Sequence, residues 1–159
     1  MSHCPKGARP VGRIEDLDPA GVELVGLLRG LTAGSAARAA AETLLQQRAG
    51  PEMALRVIAA FDAFWRQIAV HGRRPLMRHG PGCSCLGADE ACLATLVEAA
   101  SEGAREDALL MACLVVRPDM SPMVVADAAV LGLSLQRLVL RAPRLDPAGE
   151  RPVPARLMH

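Results

Sequence analysis

Apolar residues recur at intervals of three and four along most of this chain, a spacing that lays one stripe down a helix rather than alternating across a strand. The most regular run starts at Pro51. Ala54, Val57, Ile58, Phe61, Phe64, Trp65 and Ile68 keep the helical period until Gly72 supplies a stop. Ahead of it, Asp18 and Pro19 read as the cap and first residue of a helix over about residues 19–32, with Val22, Val25, Leu28 and Leu31 on one face. Ser35 opens a second helix of strong formers through Arg48, anchored by Leu44 and Leu45 and closed by Gly50-Pro51.

After a stretch rich in Gly and Pro, Asp89 starts a fourth helix to about Glu102, where Gly103 ends it. A fifth covers about residues 105–116 and is broken at Arg117-Pro118. Ser121 and Pro122 begin a sixth that carries Val124, Ala128, Leu131, Leu135 and Leu138. Gly132 is placed to break or kink it, and residues 133–140 also fit a short strand. The pattern therefore predicts an all-α, single-domain bundle of five to six helices with the third at its centre. A long Gly/Pro/Cys-containing loop joins helices 3 and 4. Residues 1–15 read as a flexible N-terminal arm, 16–141 as the helical domain, and 142–159, rich in proline and arginine, as a flexible C-terminal tail.

Composition sharpens this picture. Hydrophobic residues make up 51% of the 159, enough to bury a core, and two Phe, one Trp and no Tyr leave that core to Leu, Val, Ala and Met. Such a core suits close-packed helices. Seventeen Arg against one Lys, with abundant Ala, Gly and Pro, reflect a GC-rich genome and say little about function. The formal charge is +1 with both signs interspersed, and stacking aromatics are nearly absent, so nucleic acid is disfavoured as a partner. The first twenty residues lack the apolar run of an export signal, so a cytoplasmic location is expected. Asp127 and Arg137 interrupt the apolar stretch Met123 to Leu140, which reads as a buried helix rather than a membrane span. In a reducing compartment the five cysteines are expected as free thiols.

Chemistry concentrates in His79-Gly80-Pro81-Gly82-Cys83-Ser84-Cys85-Leu86-Gly87-Ala88-Asp89-Glu90-Ala91-Cys92. Two cysteines on a Gly/Pro turn and a third in the first turns of the next helix match the way soft-metal sites are assembled. Cys83, Cys85, Cys92 and His79 are the candidate ligands, and zinc, copper(I) or an iron–sulfur cluster all suit thiolates. Over about ten residues the stretch resembles the zinc knuckle at the tail of the SecA translocation motor and in many small bacterial proteins, which also begins Cys-x-Cys after Pro. In that family eight residues separate the pair from the next ligand, and a fourth Cys or His follows it directly. Here six residues intervene and Leu93 follows Cys92. The resemblance implies a zinc site in which His79 or His71 would have to stand as fourth ligand.

Two other readings fit the same residues. Cys83 and Cys85 can be plain turn residues and Cys92 a small buried hydrophobe, with no metal at all. Alternatively Cys92, at a helix start, is a redox nucleophile with Cys83 or Cys85 resolving and His79 as base. Arg73, Arg74 and Arg78 crowd the loop as solvated cations that could lower nearby thiol pKa values or hold an anion. Cys113 reads as core, and Met111, Met120 and Met123 as gap-fillers. His3 and Cys4 sit on the arm, within conceivable reach of a metal. No phosphate loop, dinucleotide fingerprint, nucleophile elbow or metalloprotease helix occurs, so an enzyme is disfavoured. The expectation is a non-enzymatic accessory or regulatory protein with a soft-metal loop. The alternatives are a metal-free helical adaptor and a thiol redox sensor using Cys92, and in each case the expected partner is another protein.

Overall fold

The structure, a computed structural model, describes residues 6–141; the expected C-terminal tail, and His3 and Cys4 on the arm, lie outside the described residues. Six helices form an all-α bundle: α1 (Pro19–Leu31), α2 (Ser35–Ala49), α3 (Pro51–His71), α4 (Ala88–Glu102), α5 (Arg105–Val115) and α6 (Ser121–Arg141). Asp18 caps α1 by accepting from the Ala20 and Gly21 amides, and Gly103, left-handed at φ 81°, closes α4. These are the punctuation marks expected from sequence.

The centre of the bundle is α6, not α3. Val124, Val125, Ala128, Leu131, Leu135 and Leu138 are buried along it, and α1, α3, α4 and α5 all pack against it. Gly132 does not interrupt the helix. A Cβ there would lie 2.5 Å from the Ser101 Cβ and 3.0 Å from the Val97 carbonyl oxygen, so the glycine lets α6 pack directly on α4. The segment 133–140 is helical for the same reason: its apolar period matches the surface that α4 and α3 offer it.

α3 contributes Val57, Phe61, Phe64 and Ile68 to the core, with Phe61 and Trp65 stacked at 6.3 Å between ring centroids. In α2 only Leu45 is buried, while Leu44 is half exposed. The helix from Pro118 to Arg141 is long and apolar enough to cross a membrane by length and composition. One face of it is the bundle's core, and the other carries the exposed Met123, Val130, Leu133 and Leu140.

The described part of the N-terminal segment is tied down: two short 3-10 turns, Lys6–Ala8 and Ile14–Asp16, flank a strand. Residues Pro10–Arg13 form β1, which pairs antiparallel with β2 (Cys85–Gly87), placing Arg13 opposite Cys85 and Pro10 opposite Gly87. The Ile14 amide donates to the Ser84 carbonyl and the Ala88 amide to the Arg9 carbonyl, extending the contact on both sides. The end of the cysteine loop, Cys85–Gly87, is thus one strand of a two-stranded sheet. A pairing between residues more than seventy positions apart leaves no periodic trace in four residues.

Candidate functional site: a dithiol loop on a buried ion pair

The loop from Arg73 to Ser84 has no regular structure, yet two adjacent acidic residues in the first turn of α4 hold it in place. Glu90 is fully buried and accepts four hydrogen bonds: from Arg29 Nε and Nη2 at 2.7 Å each, from the His79 amide at 3.1 Å and from the Gly87 amide at 2.9 Å. Arg29, on the core side of α1 and 2% exposed, gives its remaining hydrogens to the carbonyls of Gly80, Cys83 and Cys85. All the donors of its guanidinium are therefore matched, the condition under which a buried cation is tolerated. One side chain of α1 fixes three carbonyls of the loop.

Asp89 performs the same task one step earlier in the loop. Its carboxylate takes both Nη atoms of Arg74, at 2.8 and 2.6 Å, and the Met77 amide at 2.8 Å. Gly7 lies flat against this carboxylate, where a Cβ would overlap it. Burial by itself would raise both carboxyls. The Arg29 and Arg74 hydrogen bonds, with those from the loop amides, more than offset it and hold Glu90 and Asp89 below the usual carboxylate range. Arg73 donates to the Cys113 carbonyl and Arg78 to the Thr32 carbonyl. The loop cations are thus engaged in structural contacts, Arg74 with Asp89 among them.

The backbone is pinned while the sulfurs stay half-buried at the surface. Cys83 Sγ accepts from the Cys85 amide at 3.4 Å and lies 3.9 Å from His79 Nδ1. The hydrogen bond from the Cys85 thiol to Cys83, and the neighbouring sulfur's charge, push the Cys85 thiol up; Arg13 and Arg29 oppose this. His79 Nε2 is buried beside Gly87 without a hydrogen-bond partner. A bare lone pair costs less there than an unmatched N–H, so the ring proton belongs on Nδ1, aimed at Cys83.

Of the four residues singled out by sequence, the fold brings His79, Cys83 and Cys85 to one end of the loop. Cys92 stands apart. It packs against the core from the second turn of α4, and burial, followed by the Asp89 charge, raises its thiol against the pull of Arg74. Burial and the Asp89 charge thus act against the thiolate that a place near a helix start would favour. Among the described residues no group of three or more His, Cys, Asp or Glu side chains has the geometry of a metal site. Cys113 is half-buried on α5, Met111 and Met120 pack against the core, and Met123 is exposed.

Arg29, Glu90 and Asp89 carry no role in a sequence reading built on cysteines. The available signal is a lone arginine between Leu28 and Leu31 on the apolar face of α1, together with an Asp-Glu pair directly ahead of an apolar run. No protein-family model matches the chain, and neither a curated protein nor a solved structure does.

Proposed function

We propose that this is a non-enzymatic accessory or regulatory protein whose dithiol, Cys83 and Cys85, takes up one soft metal ion with His79 as the third donor. The observation that carries this reading is the 3.9 Å between His79 Nδ1 and Cys83 Sγ. Two ligands on one tetrahedral ion, with metal–sulfur and metal–nitrogen bonds of about 2.3 and 2.1 Å, stand about 3.6 Å apart. His79 and Cys83 need to close by only a few tenths of an ångström, and the Cys85 thiol is to swing in as the remaining donor. Binding displaces the two thiol protons, so uptake strengthens as pH rises, while the His79 ring stays neutral and its proton moves from Nδ1 to Nε2.

Three donors favour copper(I) over the other candidates. A structural zinc site takes four protein ligands and a cluster normally four thiolates, whereas copper(I), a soft ion, is satisfied by three donors of this kind. Cys92 is not a ligand in this reading. In this reading the ion is not the loop's organiser, a role that the hydrogen bonds of Arg29, Glu90 and Asp89 fill. The alternative sensor built on Cys92 is disfavoured by that residue's burial.

The test is copper(I) titration of reduced, metal-free protein, followed by elemental analysis after desalting. About one equivalent is expected to remain and to shield Cys83 and Cys85 from alkylation. Cys83→Ser and Cys85→Ser are each expected to abolish retention, His79→Ala to weaken it, and Cys92→Ser to leave it unchanged. Equal retention by Cys83→Ser, or loss in Cys92→Ser alone, would overturn the assignment.

A further inference from the structure

A groove of about 500 Å³ runs between α4 and α5, on a different part of the bundle from the cysteine loop. It is lined by the apolar Ala99, Ala104, Leu110 and Met111 and by the acidic Glu98, Glu102 and Asp107. Leu110 is 68% exposed, so a large apolar side chain stands open to solvent between three carboxylates. None of the three pairs with a cation among the described residues. Glu98 feels the consequence: burial, and then the charges of Asp18 and Glu102, push its carboxyl up. An apolar lining beside three carboxylates that no cation pairs with among the described residues fits a segment that carries arginine and leucine together.

Such a segment begins where α6 ends. Gln136 on α6 donates to Ser101 on α4 at 3.2 Å, and it borders a small depression whose other walls include Glu98 and Glu102. Arg141 closes α6 five residues later, about 7.5 Å further along its axis. The chain that follows, residues 142–159, contains Arg144, Arg151 and Arg156 against Asp146 and Glu150, with Leu145, Val153, Leu157 and Met158 as apolar side chains. Eighteen residues reach up to about 60 Å when extended, far more than the groove requires.

We propose that the α4/α5 groove is the docking site of the chain's own residues 142–159, held by arginine contacts to Glu98, Glu102 and Asp107 and by leucine contacts to Leu110 and Met111. Tethering gives the segment an effective concentration of roughly millimolar, so weak contacts suffice. An intramolecular occupant of this kind leaves the groove available to any competing segment of the same chemistry, and makes occupancy dependent on salt.

The experiment uses the full chain with Leu157 replaced by photoreactive benzoylphenylalanine. Irradiation is expected to give protein of monomer mass cross-linked within residues 95–111. The yield should fall at least fivefold between 0.05 and 0.5 M salt. It should fall as far at low salt in the Glu98→Gln, Glu102→Gln, Asp107→Asn chain, whose melting temperature reports whether it folds. The salt arm stands independently of that variant. Monomer adducts outside residues 95–111, a yield insensitive to salt, or no adduct would overturn the proposal. Covalent dimers linked through the groove would overturn it in favour of a second copy as occupant. A failed metal titration leaves this result untouched.

Discussion

Two parts of this molecule reach order by opposite means. Around α6, order comes from side chains without polar atoms: Leu131, Leu135 and Leu138 are fully buried against α3 and α4. In the loop from Arg73 to Ser84 few apolar groups are buried, and order comes from two carboxylates, two guanidiniums and the amides and carbonyls they meet. The apolar contact tolerates small changes of shape and is graded by volume. The polar one is close to all-or-none, because removing one partner strands the other in a place without water.

The sharpest way to break that comparison is to cut the polar anchor. Arg29→Ala or Glu90→Ala is expected to cost about 3–5 kcal/mol in urea unfolding, as for other buried pairs that lose one member. Replacing both, Arg29→Met with Glu90→Leu, should recover much of the stability, while the loop amides stay unprotected because the carbonyls of Gly80, Cys83 and Cys85 have lost their donor. On the apolar side, Gly132→Ala should cost about 1–3 kcal/mol, since its Cβ would stand 2.5 Å from that of Ser101 and must push α4 from α6. If Gly132→Ala proved worse than Glu90→Ala, the ranking of the two regions would be reversed.

Acid provides a gentler probe of the same contrast. Glu90 and Asp89 both titrate below their ordinary values in the fold, so their contribution is fully present above the unfolded values, about 4, and is lost as pH falls through the lower folded ones. Melting temperature should drop on acidification below about pH 4, and Glu90→Gln should show a shallower drop. Smaller still is Arg74→Ala. That side chain is 53% exposed, and Asp89 keeps the Met77 amide, so the expected cost is about 1 kcal/mol. Cys83→Ser and Cys85→Ser should change the stability of metal-free protein by less than about 0.5 kcal/mol, because no buried contact depends on either sulfur.

The same division explains what could be read from the chain. Helix boundaries were legible because a cap, a glycine stop and a period coincide at Asp18, Gly72 and Gly103. The sixth helix was harder to follow. Gly132 looks like a breaker in isolation, and only its neighbour Ser101, 31 positions away, shows it to be a contact. The loop's cysteines were visible as chemistry, and His79 and Cys83 do lie together. What holds them was not visible, because Arg29 and Glu90 are 61 residues apart and nothing local marks them as partners. For Cys92 a helix start alone suggests a lowered thiol pKa, whereas burial raises it, and which face of the helix turns inward is a tertiary fact. Pro10–Arg13 likewise owes its strand to a partner more than seventy residues later.

That the loop is ordered by Arg29 and Glu90, before and without any metal, can be measured directly by amide hydrogen exchange on reduced protein stripped of metal. The decisive amides are those of His79 and Gly87, which donate to Glu90, and of Cys85, which donates to Cys83 Sγ. The expected result is that His79 and Gly87 are strongly protected in the metal-free chain, that added copper(I) changes them little, and that Glu90→Gln exposes them. Exchange at unfolded rates in the metal-free protein, with protection appearing only on metal addition, would contradict it and make the ion the organiser of the loop.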